Sequence, residues 1–137
     1  MASVFPSEAW VSNFFSDINN DEKYAQVGKK WEGSLVFEIK PDDVLPETVL
    51  IYLDLWHGKC REAKIIKSFD EVKTDFTLSA PFGNFGKILL GQLDPMQAMI
   101  TRKLNVSGNM GYIMRNVPEV LDFVRCAKNS TSEILGI

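Results

Sequence analysis

Apolar residues in the first part of the chain follow a helical period. Trp10, Val11, Phe14, Phe15 and Ile18 form a wide stripe that predicts a helix over 7–18. Asn19-Asn20-Asp21 breaks it. Asp21 then offers a cap for a second short helix over 22–27, closed by Gly28. From Ser34 the period drops to two. Leu35, Phe37 and Ile39 alternate with Ser34, Glu38 and Lys40, which predicts a strand over 34–40 with one face inward. After the turn Pro41 to Pro46, a second strand over 48–56 carries Val49, Ile51, Leu53 and Leu55 on one face. Leu50, Tyr52 and Trp56 lie on the other, so this strand is expected inside the sheet. Gly58-Lys59 predicts a two-residue hairpin with glycine first. A third strand over 60–67 bears Arg61, Glu62, Lys64 and Lys67 and is expected near a sheet edge. A fourth, over 75–80, points Phe76, Leu78 and Ala80 inward.

The second half turns helical. Pro81 opens a helix in which Phe82, Phe85, Ile88 and Leu89 share a face, and Gly91 stops it. Asp94 caps the next helix, with Pro95 at its first position and Gln97 completing a capping-box pattern. Met96, Met99 and Ile100 then fall on one face. Leu104 and Val106 read as a short strand, and Gly108 to Gly111 as a tight turn into Tyr112-Ile113-Met114. Asn116 and Pro118 begin a last helix, with Val117, Val120, Leu121, Phe123 and Val124 as its apolar contacts up to about Lys128. The tail beyond is expected to be loose. Strands followed by a helix-rich half predict an α+β fold with an antiparallel-leaning sheet and helices on one side. Trp10 and Trp31 flank the N-terminal helical pair, which has two readings: packing on the sheet, or a helical flap over a cavity mouth.

At 137 residues the chain is expected to form one domain, large enough to bury a core around a modest cavity. A net charge of −3 argues against nucleic acid as a partner. No apolar run reaches the length of a membrane span, and any membrane contact is expected to be transient. Met1 to Pro6 lacks the pattern of a signal peptide, and Ile134-Leu135-Gly136-Ile137 is not a peroxisomal signal, so a cytoplasmic location is expected. Cys60 and Cys126 are expected to be free buried thiols.

No catalytic set emerges. His57 is the only histidine and has no evident nucleophile partner. Asp42-Asp43 and Asp70-Glu71 read as solvated loop pairs, and no cluster has the spacing of metal ligands. Gly83-Asn84-Phe85-Gly86-Lys87 lacks the spacing of a phosphate loop, and Ile88 stands where Ser or Thr is needed. Gly108-Asn109-Met110-Gly111 is a GxxG turn without the positive charge that would hold a nucleotide backbone. The expectation is a protein that is not an enzyme and carries neither cofactor nor metal.

Four of the five methionines, Met96, Met99, Met110 and Met114, fall within one short segment. Methionine fills irregular core gaps, and it also lines surfaces that must fit several partners. The segment Gly86 to Val117, GKILLGQLDPMQAMITRKLNVSGNMGYIMRNV, resembles the sterol carrier protein (lipid-transfer) family. The resembling pattern is a helix ending in Gly, a DP helix start, a lysine-leucine-valine strand closed by Gly, and a Met-rich helix. It extends over roughly 31–128, leaving 1–30 as an N-terminal helical segment. The resemblance implies five strands and about five helices enclosing an apolar tunnel between the sheet and the C-terminal helices. It implies non-catalytic binding, with intracellular transfer, of an apolar small molecule: a fatty acid, acyl-CoA, phospholipid or sterol-like lipid. The residues expected to line the site are Phe76, Phe82, Phe85, Leu89, Met96, Met99, Ile100, Met110, Ile113, Met114, Val120 and Phe123. Gln92, Gln97 and Arg102 are candidates for a polar head group. The alternative is an accessory interaction domain whose core is filled by its own side chains.

Overall fold

A computed structural model describes residues 4–136. Met1 to Ser3 and Ile137, which belong to the terminal sequences read for targeting signals, lie outside them. Ser7 starts helix α1 (Glu8–Asn19) by accepting the Trp10 N–H on its hydroxyl at 3.2 Å. Asp21 does the same for α2 (Glu22–Val27), accepting from Tyr24 N–H at 2.8 Å. A two-residue strand, β1 (Val4–Phe5), precedes them. Strands β2 (Glu32–Lys40), β3 (Val49–Trp56), β4 (Lys59–Ile66), β5 (Phe76–Pro81) and β6 (Asn105–Ser107) form one sheet in the order β4-β3-β2-β5-β6. All neighbours are antiparallel except β2 and β5. The charged strand β4 is an edge and β3 is interior, as their side-chain patterns predict.

Alternation puts Leu35, Phe37, Ile39, Ile51, Leu53, Leu55, Phe76, Leu78 and Ala80 into the main core. The opposite face carries only a small cluster: Val36, Leu50, Tyr52 and Ile66, with Val72 against it. Helices α3 (Phe82–Leu89), α4 (Pro95–Ile100), α5 (Met110–Arg115) and α6 (Val117–Asn129) complete the six α-helices among the described residues. Asp94 caps α4 through Gln97 N–H at 2.9 Å, and Asn109 caps α5 through Tyr112 N–H at 3.0 Å. The fold is therefore α+β, a five-stranded mostly antiparallel sheet with six helices.

Two local expectations are corrected. The β3–β4 hairpin loop is His57-Gly58, one residue earlier than read, because Trp56 pairs with Lys59. Both loop residues have positive φ, 50° and 81°, the requirement of a twist-matched two-residue turn. The C-terminal tail is also tied down. Glu133–Ile134 (β7) pairs in parallel with β1, and Ile134 is buried. The paired loop carboxylates have structural work as well. Asp42 accepts N–H groups from Val44, Leu45 and Gly83, which holds its carboxyl below the usual range and fixes the β2–β3 loop to the start of α3.

Candidate functional site

Between the inner sheet face and the helices lies a cavity of about 70 Å³ with no polar atom on its surface. The sheet side gives Leu35, Phe37, Leu55 and Leu78, with Trp31 just before β2. The N-terminal segment adds Phe5, Trp10 and Tyr24. Helix α3 gives Phe85, Ile88 and Leu89; Pro95, Met99 and Leu104 follow, then Ile113 from α5. Helix α6 closes it with Glu119, Val120, Phe123, Val124 and Ala127. The indole N–H groups are used outside the cavity. Trp10 Nε1 donates to Thr131 Oγ1 at 2.8 Å, and Trp31 Nε1 donates to the Gly33 carbonyl at 3.0 Å. An apolar cavity without polar partners for water stays dry.

Of the predicted lining, Phe85, Leu89, Met99, Ile113, Val120 and Phe123 lie on the cavity wall. Phe76 and Phe82 are buried without bordering it. Phe76 packs between Trp31 and Tyr112, at ring distances of 5.7 and 6.0 Å, and Phe82 stacks on Phe5 at 6.2 Å. Met96 and Met110 are half-buried against the core. Ile100 and Met114 face solvent, 61% and 48% exposed. The reason is helical periodicity. Pro95 and Met99 of α4 and Ile113 of α5 reach the cavity, and the residue after Met99 or Ile113, about 100° round, does not. Gln92, Gln97 and Arg102 are exposed and border no part of the cavity.

The wall residues not foreseen come mainly from two sources. The strand residues Leu35, Phe37, Leu55 and Leu78 were legible as inward-facing, but nothing local says that a space lies above them. Trp10 and Tyr24 belong to an apolar helical stripe and a capped turn, and the sequence leaves open what those faces meet. Phe5 carried no signal, because a two-residue strand has no periodicity to read.

Several titratable groups outside the cavity have structural partners. His57 stacks on Trp56 with ring centroids 4.8 Å apart and pairs with Glu32 at the exposed hairpin end. Cys60 and Cys126 are free thiols, and burial pushes both up to about 12. Ligand atoms of Asp21, Asp122 and Cys126 lie within 4.8 Å of one another. The Arg125 guanidinium sits among them, donating to Asp21 at 2.6 Å and to Asp122 at 2.8 Å. It supplies the positive charge that these carboxylates need, so the arrangement is an ion-paired tie between α2 and α6.

The molecule is thus a five-stranded sheet roofed by helices around an apolar space. The chain belongs to the SCP-2 sterol transfer family, whose profile matches residues 13–118. Domains of this family are in general lipid-binding and lipid-transfer domains. The chain is similar to a crystal structure of sterol carrier protein 2, at 30% identity and a TM-score of 0.80 over 89% of this chain and 95% of that one. It is similarly related to a conserved hypothetical protein from Thermus thermophilus, at 30% identity and a TM-score of 0.82 over 92% and 89%. The apo form of sterol carrier protein 2 from Yarrowia lipolytica shares the fold, at 22% identity and a TM-score of 0.61 over 91% and 94%. Comparison with curated protein sequences found no match. Among the described residues no helix is long and apolar enough to cross a membrane.

Proposed function

We propose that this protein binds an elongated lipid in the cavity between its sheet and helices, without catalysis, and transfers it between sites in the cell. The observation that carries the reading is the cavity itself, enclosed by an SCP-2 fold and free of polar surface. Removing an alkyl chain from water contributes roughly 0.8 kcal/mol per buried CH₂, so walls of this kind bind without a specific polar partner. Its described lining is almost entirely apolar and contains no Ser, Cys, His or Lys. The two free buried thiols suit a reducing compartment such as the cytoplasm.

At about 70 Å³ the space is smaller than the roughly 150 Å³ cavity that takes benzene, so a lipid must spread the walls. The shortest helices of the C-terminal half, α4 and α5, are the parts expected to give way. Native mass spectrometry of the purified protein, with solvent extraction, should find a co-purified lipid near one per chain. Met99→Trp should fill the space and remove that lipid, while Met114→Trp, on an exposed position, should leave it in place. An empty wild-type protein that also takes up no fluorescent fatty acid would sink the proposal and favour the interaction-domain reading.

A further inference from the structure

Most residues lining the cavity are buried, and the exceptions are grouped. Leu89, Pro95, Glu119, Val120 and Val124 are half-exposed. They come from the end of α3, the start of α4 and the first two turns of α6. A side chain that borders both the cavity and water marks a wall one residue thick. The mouth of the cavity therefore lies between the α3–α4 turn and α6. Glu119 reaches the cavity only with its methylene stem, since no polar atom lies on that surface. Lys128 lies across one end of the mouth. It continues the row of Val120 and Val124 along α6, and its Nζ is 3.3 Å from where a Cβ on Gly91 would stand.

The outer rim of this mouth is apolar. Leu90, Ile100, Met114 and Leu121 are large exposed hydrophobic residues. Each directly follows a lining residue in the chain: Leu89, Met99, Ile113 and Val120. Cations surround them. Lys87, Arg102, Lys103 and Arg115 are exposed and lie within three positions of one of the four, and exposed Lys128 stands against Gly91, next to Leu90. Among the described residues none of these five cations is ion-paired. The chain divides its charge accordingly. Residues 82–129 hold six basic and three acidic side chains, although the net charge of the whole is −3. A nucleic acid would meet the cations and leave the four apolar residues in water. The interface of an anionic bilayer takes both, phosphates against the cations and acyl chains against the apolar side chains.

We infer that the rim formed by α3 to α6 is a docking surface for an anionic lipid bilayer, laid down so that the mouth of the cavity opens onto the membrane. The inference rests on the lipid-binding reading above and adds the surface from which cargo enters and leaves.

Co-sedimentation with vesicles tests it. At low salt the protein should bind vesicles of equal parts phosphatidylcholine and phosphatidylglycerol at least tenfold more tightly than pure phosphatidylcholine, and added salt should erase most of the difference. Arg102→Gln, Arg115→Gln and Lys128→Gln together should weaken binding to the anionic vesicles at least tenfold. Lys29→Gln, Lys59→Gln and Lys67→Gln together remove the same charge from exposed positions elsewhere and should change it by less than about twofold. Leu90→Ser with Ile100→Ser leaves the charge alone and should weaken it several-fold. Equal binding to both kinds of vesicle would overturn the proposal, as would a loss in the Lys29, Lys59 and Lys67 variant equal to that in the rim variant. Uptake of a fluorescent fatty acid from solution is measured alongside. Uptake without a preference for anionic vesicles fells the docking surface and leaves the lipid reading standing. A wild-type protein that neither carries lipid nor takes any up fells both.

Discussion

The two helical sides of the cavity are built differently. On the N-terminal side a twelve-residue helix places Trp10 and Phe14 in full burial, stacked 5.2 Å apart. Phe5 meets Trp10 edge-on at 5.0 Å, and Phe14 meets Phe123 edge-on at 5.4 Å. On the other side two six-residue helices present mostly methionine and isoleucine, and Ile100 and Met114 among these face water. Aromatic rings interlocked in fixed geometry resist displacement. Helices of six residues, by contrast, depend on their packing to exist at all, and methionine side chains adapt to what they touch. The difference teaches that stability and accommodation are divided between the two sides: one sets the shape of the space, the other lets it change.

The largest test of that division is Trp10→Ala. It removes a ring at 0% exposure and its bond to Thr131, and should cost about 3–5 kcal/mol in urea unfolding. A loss under about 1 kcal/mol would mean that the aromatic side is not the rigid one. Arg125→Met, which cuts the tie between α2 and α6, should cost about 2–3 kcal/mol. It leaves the buried Asp122 with only Lys23, at 3.6 Å, as a cationic partner among the described residues. The same variant has a pH signature. The Arg125 guanidinium holds the Asp21 carboxyl below its ordinary 3.8, helped by the Tyr24 N–H. A depressed folded-state value gives stability that is present above about pH 4 and lost as the pH falls further. Acid titration of unfolding should show this loss in the wild-type protein and a shallower one in Arg125→Met.

Smaller effects are expected on the yielding side. Met99→Ala should cost about 2 kcal/mol, the low end for a buried methionine, because its neighbours already border a void. Ile100→Ser, at 61% exposure, should change stability by less than about 0.5 kcal/mol. If Ile100→Ser proves as damaging as Met99→Ala, the outer face of α4 is covered by something and the contrast between the sides weakens.

Much of the frame was legible because it rests on local rules. The period-two runs around Phe37, Ile51 and Leu78 located the long strands, and Ser7, Asp21, Asp94 and Asn116 marked helix starts. The hairpin slipped by one residue because glycine was assigned to the first turn position. Histidine is one of the residues that tolerate positive φ, and His57 takes that place. The cavity was half legible. Amphipathic spacing shows that Met99 and Ile113 turn inward, but with Ile100 and Met114 beside them it cannot tell where so short a helix ends its contact. The aromatic side was hidden for another reason. Trp10 is held in place by Thr131, and α2, which carries Tyr24, is tied to α6 through Asp21 and Arg125. Partners more than a hundred residues apart leave no periodic trace.

The pairing of Val4–Phe5 with Glu133–Ile134 bears on how this domain should be excised. The family profile begins at residue 13 and ends at 118. Phe5, Trp10, Phe123 and Val124, all part of the enclosure, fall outside that span. A fragment cut at the profile's limits would keep every strand of the large sheet and still be recognisable by sequence, yet it would be an open trough whose oily floor faces water. Boundaries for expression, fusion or domain grafting are therefore better set by the small two-stranded clasp than by the recognisable motif.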